Sequence, residues 1–490
     1  MSLACGVPIL ECVALAGCCK WAWKRCTYIG AYDSENWALA SYEEFETIPR
    51  ICRIVLAVYE HDLTKPKWAP PGGYGMKLED VIKRVSYDET GGRAPPYLIY
   101  VDHEASDIIL AIRGLNLGKN RDYRVLLNNK LGKKMFDGGY VHHGLLKAAG
   151  FVLDKESATL VELIQKYPEY TVTFAGHSLG AGVVSLMTVV VIKNRKYLGN
   201  ISRERLRCYS IAPARCMSLN LAVNYADVIN SVILQDDFLP RTSTPLQDIF
   251  GAVLCLPCLL CCRCMLDTFT SEKKKLKDPR RLYAPGTMYH MVERRFCSCG
   301  RFPPEVRSHV PVDGRFEHVV LSCNATSDHS LVNLERISSN ALDVLKETLV
   351  DVPLEQRMEK KQSNVRDRKQ ERKSALERAV TLNVPHAFSP EDGVKEEETD
   401  ENAIVVDAEG NRVPPSSEED YINTEDTKKK KSPDWNSLID RLFHCSGNRE
   451  HNSSKSSGEE VEDEEKGEGF SYSRNENQPS VWRDYEAKKL

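Results

Sequence analysis

The sequence predicts an α/β fold built on a mostly parallel sheet with helices on both faces. Between residues 41 and 345, strand-length runs rich in β-branched and aromatic residues alternate with longer apolar runs at helical spacing. One strand-length run ends at a G-x-S-x-G motif, and an uncharged run of helix length follows it. Such alternation is typical of parallel strands joined by crossover helices.

Each predicted element rests on a short stretch of this region. Two helices are expected: residues 143–167 have apolar residues that recur with the helical period, and residues 179–192 form a continuous uncharged run that reads as a buried helix. The strands are expected in the following stretches: "YLIYVD", "DIILAIRG", "TVTFA", "RCYSIAPA", "VINSVIL", "GTMYHMV" and "HVVLSC".

Charge divides the chain into a basic body and an acidic tail. Residues 386–490 carry 14 Lys+Arg against 27 Asp+Glu, a net charge of −13, while all 490 residues carry −4, so residues 1–385 carry +9. We predict an α/β domain over 41–345, a charged, solvent-exposed helix over 346–385 and a disordered tail over 386–490. The basic body suits an anionic membrane surface or another polyanion and does not choose between them, and for any one cluster scattered solvated charge is the more frequent explanation. We expect a membrane surface and no nucleic acid among the partners.

The serine of the G-x-S-x-G motif is the candidate nucleophile. A nucleophile elbow is a strained turn between a strand and a helix, so small residues must flank the serine. Gly176, His177 and Gly180 surround Ser178 in that arrangement. We therefore predict that Ser178 is a nucleophile presented by this turn, rather than merely a polar residue in a tight turn.

A serine nucleophile needs a histidine base and an acid that orients it. In this architecture the acid and then the histidine follow the serine along the chain. Asp236 and Asp237 end the "VINSVIL" strand, and position alone leaves both open. Among the later histidines we favour His329, which precedes a helix in a loop, over those within or flanking strands and charged loops: His290, His309 and His318. The oxyanion hole is expected to use the backbone N–H groups of Leu115 and Leu179.

The motifs resemble those of the class 3 lipases, which are α/β-hydrolases. The stretches "AIRGLN", "VHHGLLKAA", "TFAGHSLGAGVVSL", "DDFLPR" and "SDHSLVN" occur in that order, and the resemblance covers roughly residues 1–345. The opening residues resemble more narrowly a plant branch with a mono-/diacylglycerol lipase N-terminal region, some members of which are named calmodulin-binding heat-shock proteins.

The resemblance implies roles for individual residues. It implies Ser178 as nucleophile, His329 as base and, through a D-x-(V/I/L)-P-R pattern, Asp237 rather than Asp236 as acid. The family's R-G-(T/S) reads Arg113-Gly114-Leu115 here, so a hydroxyl that often assists the oxyanion hole is missing. The implied function is sn-1-type hydrolysis of acylglycerols, diacylglycerol above all, without metal or organic cofactor. The alternatives are a phospholipase or galactolipase of the same fold, and a calmodulin-binding membrane scaffold with little activity.

An insert at about 242–282 departs from the pattern. It contains "CLPCLLCCRC" and then a basic cluster, which fits a membrane-dipping lid or an acylated anchor better than a zinc site, because no second ligand pair follows. The candidates for S-acylation in it are Cys255, Cys258, Cys261 and Cys262.

The apolar, Cys-rich segment 1–40 is the second candidate membrane anchor. Its uncharged runs are shorter than the roughly 20 residues that span a bilayer, and Trp21 and Trp23 beside basic residues suit a membrane interface. Its candidates for S-acylation are Cys5, Cys12, Cys18 and Cys19. A short helix packed on the body is the alternative. Because the start lacks the pattern of a cleavable signal, we expect a protein on the cytoplasmic side, peripherally membrane-associated and not secreted.

One stretch of the acidic tail has helical character. In "KKKKSPDWNSLIDRLF", Trp435, Ile439 and Leu442 fall on one helical face after a basic run. That pattern is found in calmodulin targets, and a basic cluster with stray apolar residues is the favoured alternative.

Overall fold

A sheet of nine strands runs through the part of the chain that the structure describes. The computed structural model describes residues 19, 23, 27–115, 135–241, 281–295, 300–310, 316, 320, 322–347, 354–381 and 434–444. All of them belong to one compact unit, Met1–Ser446, and the second unit, Gly447–Leu490, lies outside the described residues. The strands are β1 Ala38–Leu39, β2 Val81–Val85, β3 Tyr97–Asp102, β4 Asp107–Ile112, β5 Thr171–His177, β6 Leu206–Ile211, β7 Ile229–Leu234, β8 Thr287–Val292 and β9 Glu305–His309.

The sheet is parallel in its centre and antiparallel at its edges. The spatial order is β1-β9-β8-β7-β6-β5-β4-β3-β2. Strands β4 to β8 pair in parallel with their neighbours, whereas β2, β3, β9 and β1 add antiparallel pairs outside them. The α/β-hydrolase fold expected from the sequence is confirmed.

Helices cover both faces of the sheet. The described α-helices are α1 Tyr42–Phe45, α2 Thr47–Ala57, α3 Tyr87–Thr90, α4 His143–Lys166, α5 Leu179–Lys193, α6 Leu219–Asn224, α7 Leu331–Glu347, α8 Leu354–Thr381 and α9 Trp435–His444. Helices α4 and α5 share one apolar core with the sheet, and α2 and α7 share the core on the opposite face.

The central elements are apolar because they are buried on every side. Every residue of α5 from Leu179 to Val191 is buried, which explains a helix without a polar stripe. All residues of β3 and β4 are buried as well. Strands covered on both faces read as continuous apolar runs rather than as alternating ones.

The N-terminal boundary differs from the one predicted at residue 40. Residues Gly30–Ser34 form a buried 3₁₀ turn, and Asp33 pairs with the buried Arg241. Strand β1 closes the sheet edge by pairing with β9. The residues from 30 onward are thus part of the folded domain, because they satisfy buried polar groups and cover its edge.

The strand expected at "HVVLSC" is wrong where the structure describes it. Residues Val320, Ser322 and Cys323 are not in a strand, and the last described strand is β9. In β9 only Val306 and Ser308 are buried, between half-exposed charged residues. A strand with one apolar inward residue gives almost no hydrophobic pattern, so it was not expected.

The C-terminal end of α8 is less solvent-exposed than the sequence predicts. The end of α8 buries Ala375, Leu376 and Ala379, and its Arg372 pairs with Asp227. The prediction of a fully exposed helix over 346–385 therefore needs this correction.

Within the tail 386–490, the prediction of disorder is wrong for residues 434–444. Helix α9 buries Trp435, Leu438 and Ile439 in the core shared with α4. The backbone N–H of Trp435 donates to Asp154 Oδ1 at 2.7 Å, so a side chain of α4 caps the start of α9. Three apolar residues at helical spacing were enough to dock a segment whose surroundings are strongly polar.

Several predicted membrane features lie outside the described residues. These are the candidate acylation sites Cys5, Cys12, Cys18, Cys255, Cys258, Cys261 and Cys262 and the insert up to residue 280. Cys19 and Trp23 are described, and both are exposed. Of the helices that the structure describes, none combines the length and apolar character needed to cross a membrane.

Candidate active site

Ser178 occupies a strained turn between β5 and α5. Its backbone has φ 57° and ψ −116°, a combination that residues with a Cβ rarely adopt. Such strain persists only where the surrounding structure enforces it, and it concentrates at functional sites. The turn lifts the Ser178 side chain between the carboxyl end of β5 and the start of α5.

The two glycines of the motif allow the close packing that enforces this turn. A Cβ on Gly176 would lie 2.4 Å from the Gly180 carbonyl oxygen, and a Cβ on Gly180 would lie 2.5 Å from the Arg113 carbonyl oxygen. Both distances are far below van der Waals contact, and backbone atoms cannot rotate away. Any side chain at either position would push α5 off the sheet.

The structure brings Ser178, His329 and Asp237 into one hydrogen-bonded line. His329 Nε2 lies 2.9 Å from Ser178 Oγ, and His329 Nδ1 lies 3.0 Å from Asp237 Oδ1. Asp237 is fully buried, and its Oδ1 also accepts the Leu239 N–H at 3.0 Å. The residues come from three separate loops, after β5, after β7 and before α7.

Those alternatives from the sequence that the structure describes lie elsewhere, and His318 is outside the described residues. Asp236, the other acid, accepts the Gly30 N–H through Oδ1 at 2.9 Å and faces Arg294. His290 is buried within β8 between Ser34 and Gln235, and burial, with Arg241 nearby, lowers its pKa to about 3. His309 pairs with Glu371. Asp237 and His329 are thus the acid and the histidine that face each other.

Tyr59 is a functional candidate that the sequence analysis missed. Its hydroxyl accepts the Gly114 N–H at 2.7 Å and lies 2.7 Å from His177 Nδ1. His177 Nε2 in turn lies 2.9 Å from the His329 carbonyl oxygen. Tyr59 follows α2 in an ordinary apolar stretch, so no motif pointed to it.

His177 is neutral in this arrangement. Burial, helped by the neighbouring His329, lowers the pKa of His177 to about 3. A neutral imidazole has one N–H donor and one bare acceptor nitrogen, which matches its two partners. The residue before the candidate nucleophile therefore ties the end of β4 to the loop of His329.

The two residues predicted to supply oxyanion donors, Leu115 and Leu179, lie close to Ser178. Leu179 begins α5, where the first-turn N–H groups have no acceptor within the helix. Gly114, before Leu115, lies so close that a Cβ on it would be 2.9 Å from Ser178 Cβ. The Leu179 side chain belongs to the apolar core and that of Leu115 packs against it.

Within the described residues, no group of three or more His, Cys, Asp or Glu side chains is arranged to hold a metal ion. Three described free cysteines, Cys52, Cys208 and Cys216, are buried in the core. Burial raises the pKa of each thiol, to about 12 for Cys52 and Cys208. Such thiols are inert packing groups rather than nucleophiles.

Comparison with protein families gives two matches. Residues 109–247 match the family model Lipase (class 3), and residues 9–76 match the model Lipase 3 N-terminal region. These parts of the chain are similar to class 3 lipases. The first match includes Ser178 and Asp237, and His329 lies beyond it. The match to the N-terminal region runs across the boundary predicted at residue 40, as the packing of residues 30–39 does.

Individual relatives resemble the chain only distantly. Diacylglycerol lipase-beta of Mus musculus is 24% identical over 190 residues, a match that covers 37% of this chain and 26% of the mouse protein, so the chain spans about a quarter of that relative's length. Among solved structures, a fungal lipase–inhibitor complex has a TM-score of 0.41 at 15% identity and covers 62% of this chain and 98% of its own. The Rhizomucor miehei lipase propeptide complex has a TM-score of 0.38 at 16% identity, covering 60% and 81%.

Proposed function

We propose that this protein is a serine hydrolase that cleaves acyl ester bonds of acylglycerols, with diacylglycerol as the preferred substrate. The observation that carries the proposal is the line from Ser178 Oγ through His329 to Asp237, with contacts of 2.9 Å and 3.0 Å. Its place on a strained strand-to-helix turn, in the region similar to class 3 lipases, supports a carboxylic ester hydrolase.

The proposed reaction proceeds in two half-reactions. His329 takes the Ser178 proton while Oγ forms a bond to the ester carbonyl carbon, and the carbonyl π electrons move to oxygen. Collapse of the tetrahedral intermediate breaks the bond to the glycerol oxygen, which receives the proton from His329. A water, deprotonated by His329, then attacks the acyl carbon; the bond from that carbon to Ser178 Oγ breaks, Oγ takes the proton back from His329, and the fatty acid is released.

Two parts of the site lower the barrier in this scheme. The Asp237 carboxylate faces Nδ1 of His329, so it stabilises the imidazolium that forms in each half-reaction. The N–H groups of Leu115 and Leu179 are the proposed donors to the oxyanion. Because residue 115 is a leucine, the hole relies on backbone donors at that position.

An apolar, membrane-resident substrate fits the surroundings of the serine. Ser178 is only 8% exposed, and the partly buried Leu115 and Phe238 next to the site extend the apolar core. Phe238 also lies against the His329 ring, with centroids 5.0 Å apart. The mouse relative is named a diacylglycerol lipase, which agrees with this substrate class. We propose that the protein works at the cytoplasmic face of a membrane, where such a lipid resides.

Fatty-acid release from vesicles tests the proposal. Vesicles doped with diacylglycerol, triacylglycerol, phosphatidylcholine or monogalactosyldiacylglycerol are incubated with wild type, Ser178→Ala and His329→Ala. We expect release fastest from diacylglycerol, and loss of at least 10³-fold in both variants. Faster release from phosphatidylcholine or the galactolipid would replace acylglycerol by that lipid class. Equal release by wild type and Ser178→Ala would overturn the serine mechanism.

A fluorophosphonate probe provides the matched control, because it reacts with an activated serine whatever the lipid preference. Wild type should be labelled and Ser178→Ala should not. Ser185→Ala, which removes a buried serine of α5 away from the turn, should be labelled like wild type. A protein that is folded but unlabelled would favour the alternative of a membrane scaffold with little activity.

A further inference from the structure

Arg294 joins the two loops that carry the proposed acid and base. It follows β8, and its Nη2 contacts Asp328 Oδ2 and lies 3.3 Å from Asp236 Oδ2. Asp236 immediately precedes Asp237, and Asp328 immediately precedes His329. One guanidinium group is thus bound both to the residue before the proposed acid and to the residue before the proposed base.

Backbone hydrogen bonds lock the same three segments together. The Asp236 N–H donates to Asp328 Oδ2 at 2.8 Å, so the acid loop also binds the histidine loop directly. Gln235 Oε1 accepts the N–H groups of Glu293 and Arg294 at 3.1 and 2.9 Å, and Gln235 Nε2 donates to the Arg294 carbonyl at 3.1 Å. The backbone around Arg294 is therefore fixed to the acid loop, and its side chain extends from there to the histidine loop.

Burial makes the guanidinium necessary. The side chains of Asp236 and Asp328 are 4% and 3% exposed, and that of Arg294 is 16% exposed. Burial raises the pKa of Asp328, and the hydrogen bond from Arg294 opposes that rise. Glu293 also faces Arg294, 3.1 Å from Nη1. Without the cation, two buried carboxylates would face each other across the loops and push them apart.

We propose that Arg294 is a positioning residue that sets the distance between Asp237 and His329. The inference rests on the proposed function and adds a residue that touches neither substrate nor the reacting atoms. A planar guanidinium with several donors can bind two carboxylates at once, whereas a lysine ammonium acts as a single point charge. The chemistry of the site thus depends on a side chain outside the Ser178, Asp237 and His329 line.

The test compares Arg294→Met and Arg294→Lys with Arg301→Gln in the full-length chain. Arg301 also pairs with Glu293, at 3.4 Å, but contacts neither Asp236 nor Asp328, so it is a matched control. The readout is hydrolysis of a soluble p-nitrophenyl ester, with kcat expressed per site titrated by a fluorophosphonate burst. This normalisation removes any fraction of molecules that has not folded.

We expect kcat per titrated site to fall about tenfold to a hundredfold in Arg294→Met, because misplacement of a catalytic group by about 1 Å costs on that order. KM should stay within about twofold, Arg294→Lys should recover part of the loss, and Arg301→Gln should match wild type. An unchanged kcat in Arg294→Met, or an equal loss in Arg301→Gln, would overturn the inference. A wild type that neither hydrolyses the ester nor reacts with the probe would overturn the proposed function and this inference with it.

Discussion

The hydroxyl of Tyr59 lies 2.7 Å from Nδ1 of His177, and this contact fixes the tautomer of the imidazole next to Ser178. The Tyr59 oxygen already accepts the Gly114 N–H, so its own proton is donated to Nδ1. Nε2 then carries the remaining proton and donates it to the His329 carbonyl. A chain of three hydrogen bonds connects the end of β4, the nucleophile turn and the loop of the proposed base.

Removal of the Tyr59 hydroxyl should weaken the site without unfolding the protein. In Tyr59→Phe, the Gly114 N–H loses its acceptor and His177 loses the partner that orients its ring. We expect kcat/KM on a soluble ester to fall about tenfold, equivalent to about 1.4 kcal/mol in the barrier.

Tyr225→Phe is the control for this prediction. Its buried hydroxyl binds Asp137 at 3.0 Å, away from the site, so its loss should change stability and not kcat/KM. Equal kinetic effects of the two variants would show that the Tyr59 hydroxyl has no special role.

The two adjacent acids should differ sharply on amide substitution. Asp237→Asn removes the carboxylate that faces His329, and we expect kcat to fall about 10³- to 10⁴-fold, as is typical for the orienting acid of such a triad. Asp236→Asn weakens contacts to Gly30 and Arg294 only, so kcat should fall about tenfold at most. Steady-state kinetics on a soluble ester decides between them, and the reverse ranking would move the acid to Asp236.

Two glycines at the start of α5 should tolerate alanine very differently. Gly180→Ala forces a Cβ to 2.5 Å from the carbonyl oxygen of Arg113, just after β4, and we expect a loss of about 1–3 kcal/mol in the free energy of unfolding. At Gly182, the nearest atom to an added Cβ is the end of the Leu145 side chain, at 2.7 Å, which is able to rotate. Urea titration of both variants should place Gly182→Ala nearer to wild type.

Buried neutral histidines should make the protein sensitive to acid. The folded-state pKa values of His177 and His290 are about 3, below the ordinary value of 6.5, because burial disfavours the charged ring. The unfolded chain therefore binds protons that the folded chain does not between these values. Stability contributed by the neutral rings is complete above pH 6.5 and is lost as the pH falls toward 3, by up to about 1.4 kcal/mol per pH unit for each histidine.

His290→Gln isolates one of these two groups. Urea unfolding at pH 7.5, 6.0 and 5.0 should give a shallower loss of stability in the variant than in wild type. Parallel slopes would mean that His290 does not contribute. Because His290 lies outside the site, activity at neutral pH serves as the check that the variant is folded.

Trp435→Ala should detach α9 from the body. Trp435 is fully buried, and truncation of a buried tryptophan costs about 3–5 kcal/mol, more than a ten-residue helix retains from its other contacts. Hydrogen exchange should become fast over 436–444 while β4 to β7 keep their protection. Arg441→Ala, on the exposed side of α9, should leave the exchange pattern unchanged, and the prediction fails if Trp435→Ala does so too.

The parallel centre of the sheet was predictable because β4 to β8 are almost entirely buried and rich in β-branched, aromatic and other apolar residues. The strained turn at Ser178 was predictable because close packing restricts Gly176 and Gly180 to one residue type. His329 faces Ser178 as expected, although the strand thought to precede it is replaced by β9, whose alternation is too polar to detect.

The roles of Tyr59 and Arg294 and the docking of α9 on α4 could not be predicted from local sequence. Each acts through partners distant in the chain: Tyr59 is 118 residues from His177, and Arg294 is 58 from Asp236. A single tyrosine or arginine has no periodicity, and its partner becomes visible only when the fold brings both together. Helix α9 was recognised as amphipathic, but its partner surface on α4 is 281 residues away.

Any outside partner that recognises Trp435 must supply the free energy that detaches α9 from α4. A calmodulin-type protein, which remains a prediction for this chain, would find that residue already engaged by α4. If the docked form is favoured by about 3 kcal/mol, the whole protein binds such a partner about 150-fold more weakly than an isolated 428–445 peptide does. The affinity measured on the peptide would then be an upper limit for the whole protein. Asp154→Ala removes the cap of α9, so it should bring the affinity of the whole protein closer to that of the peptide.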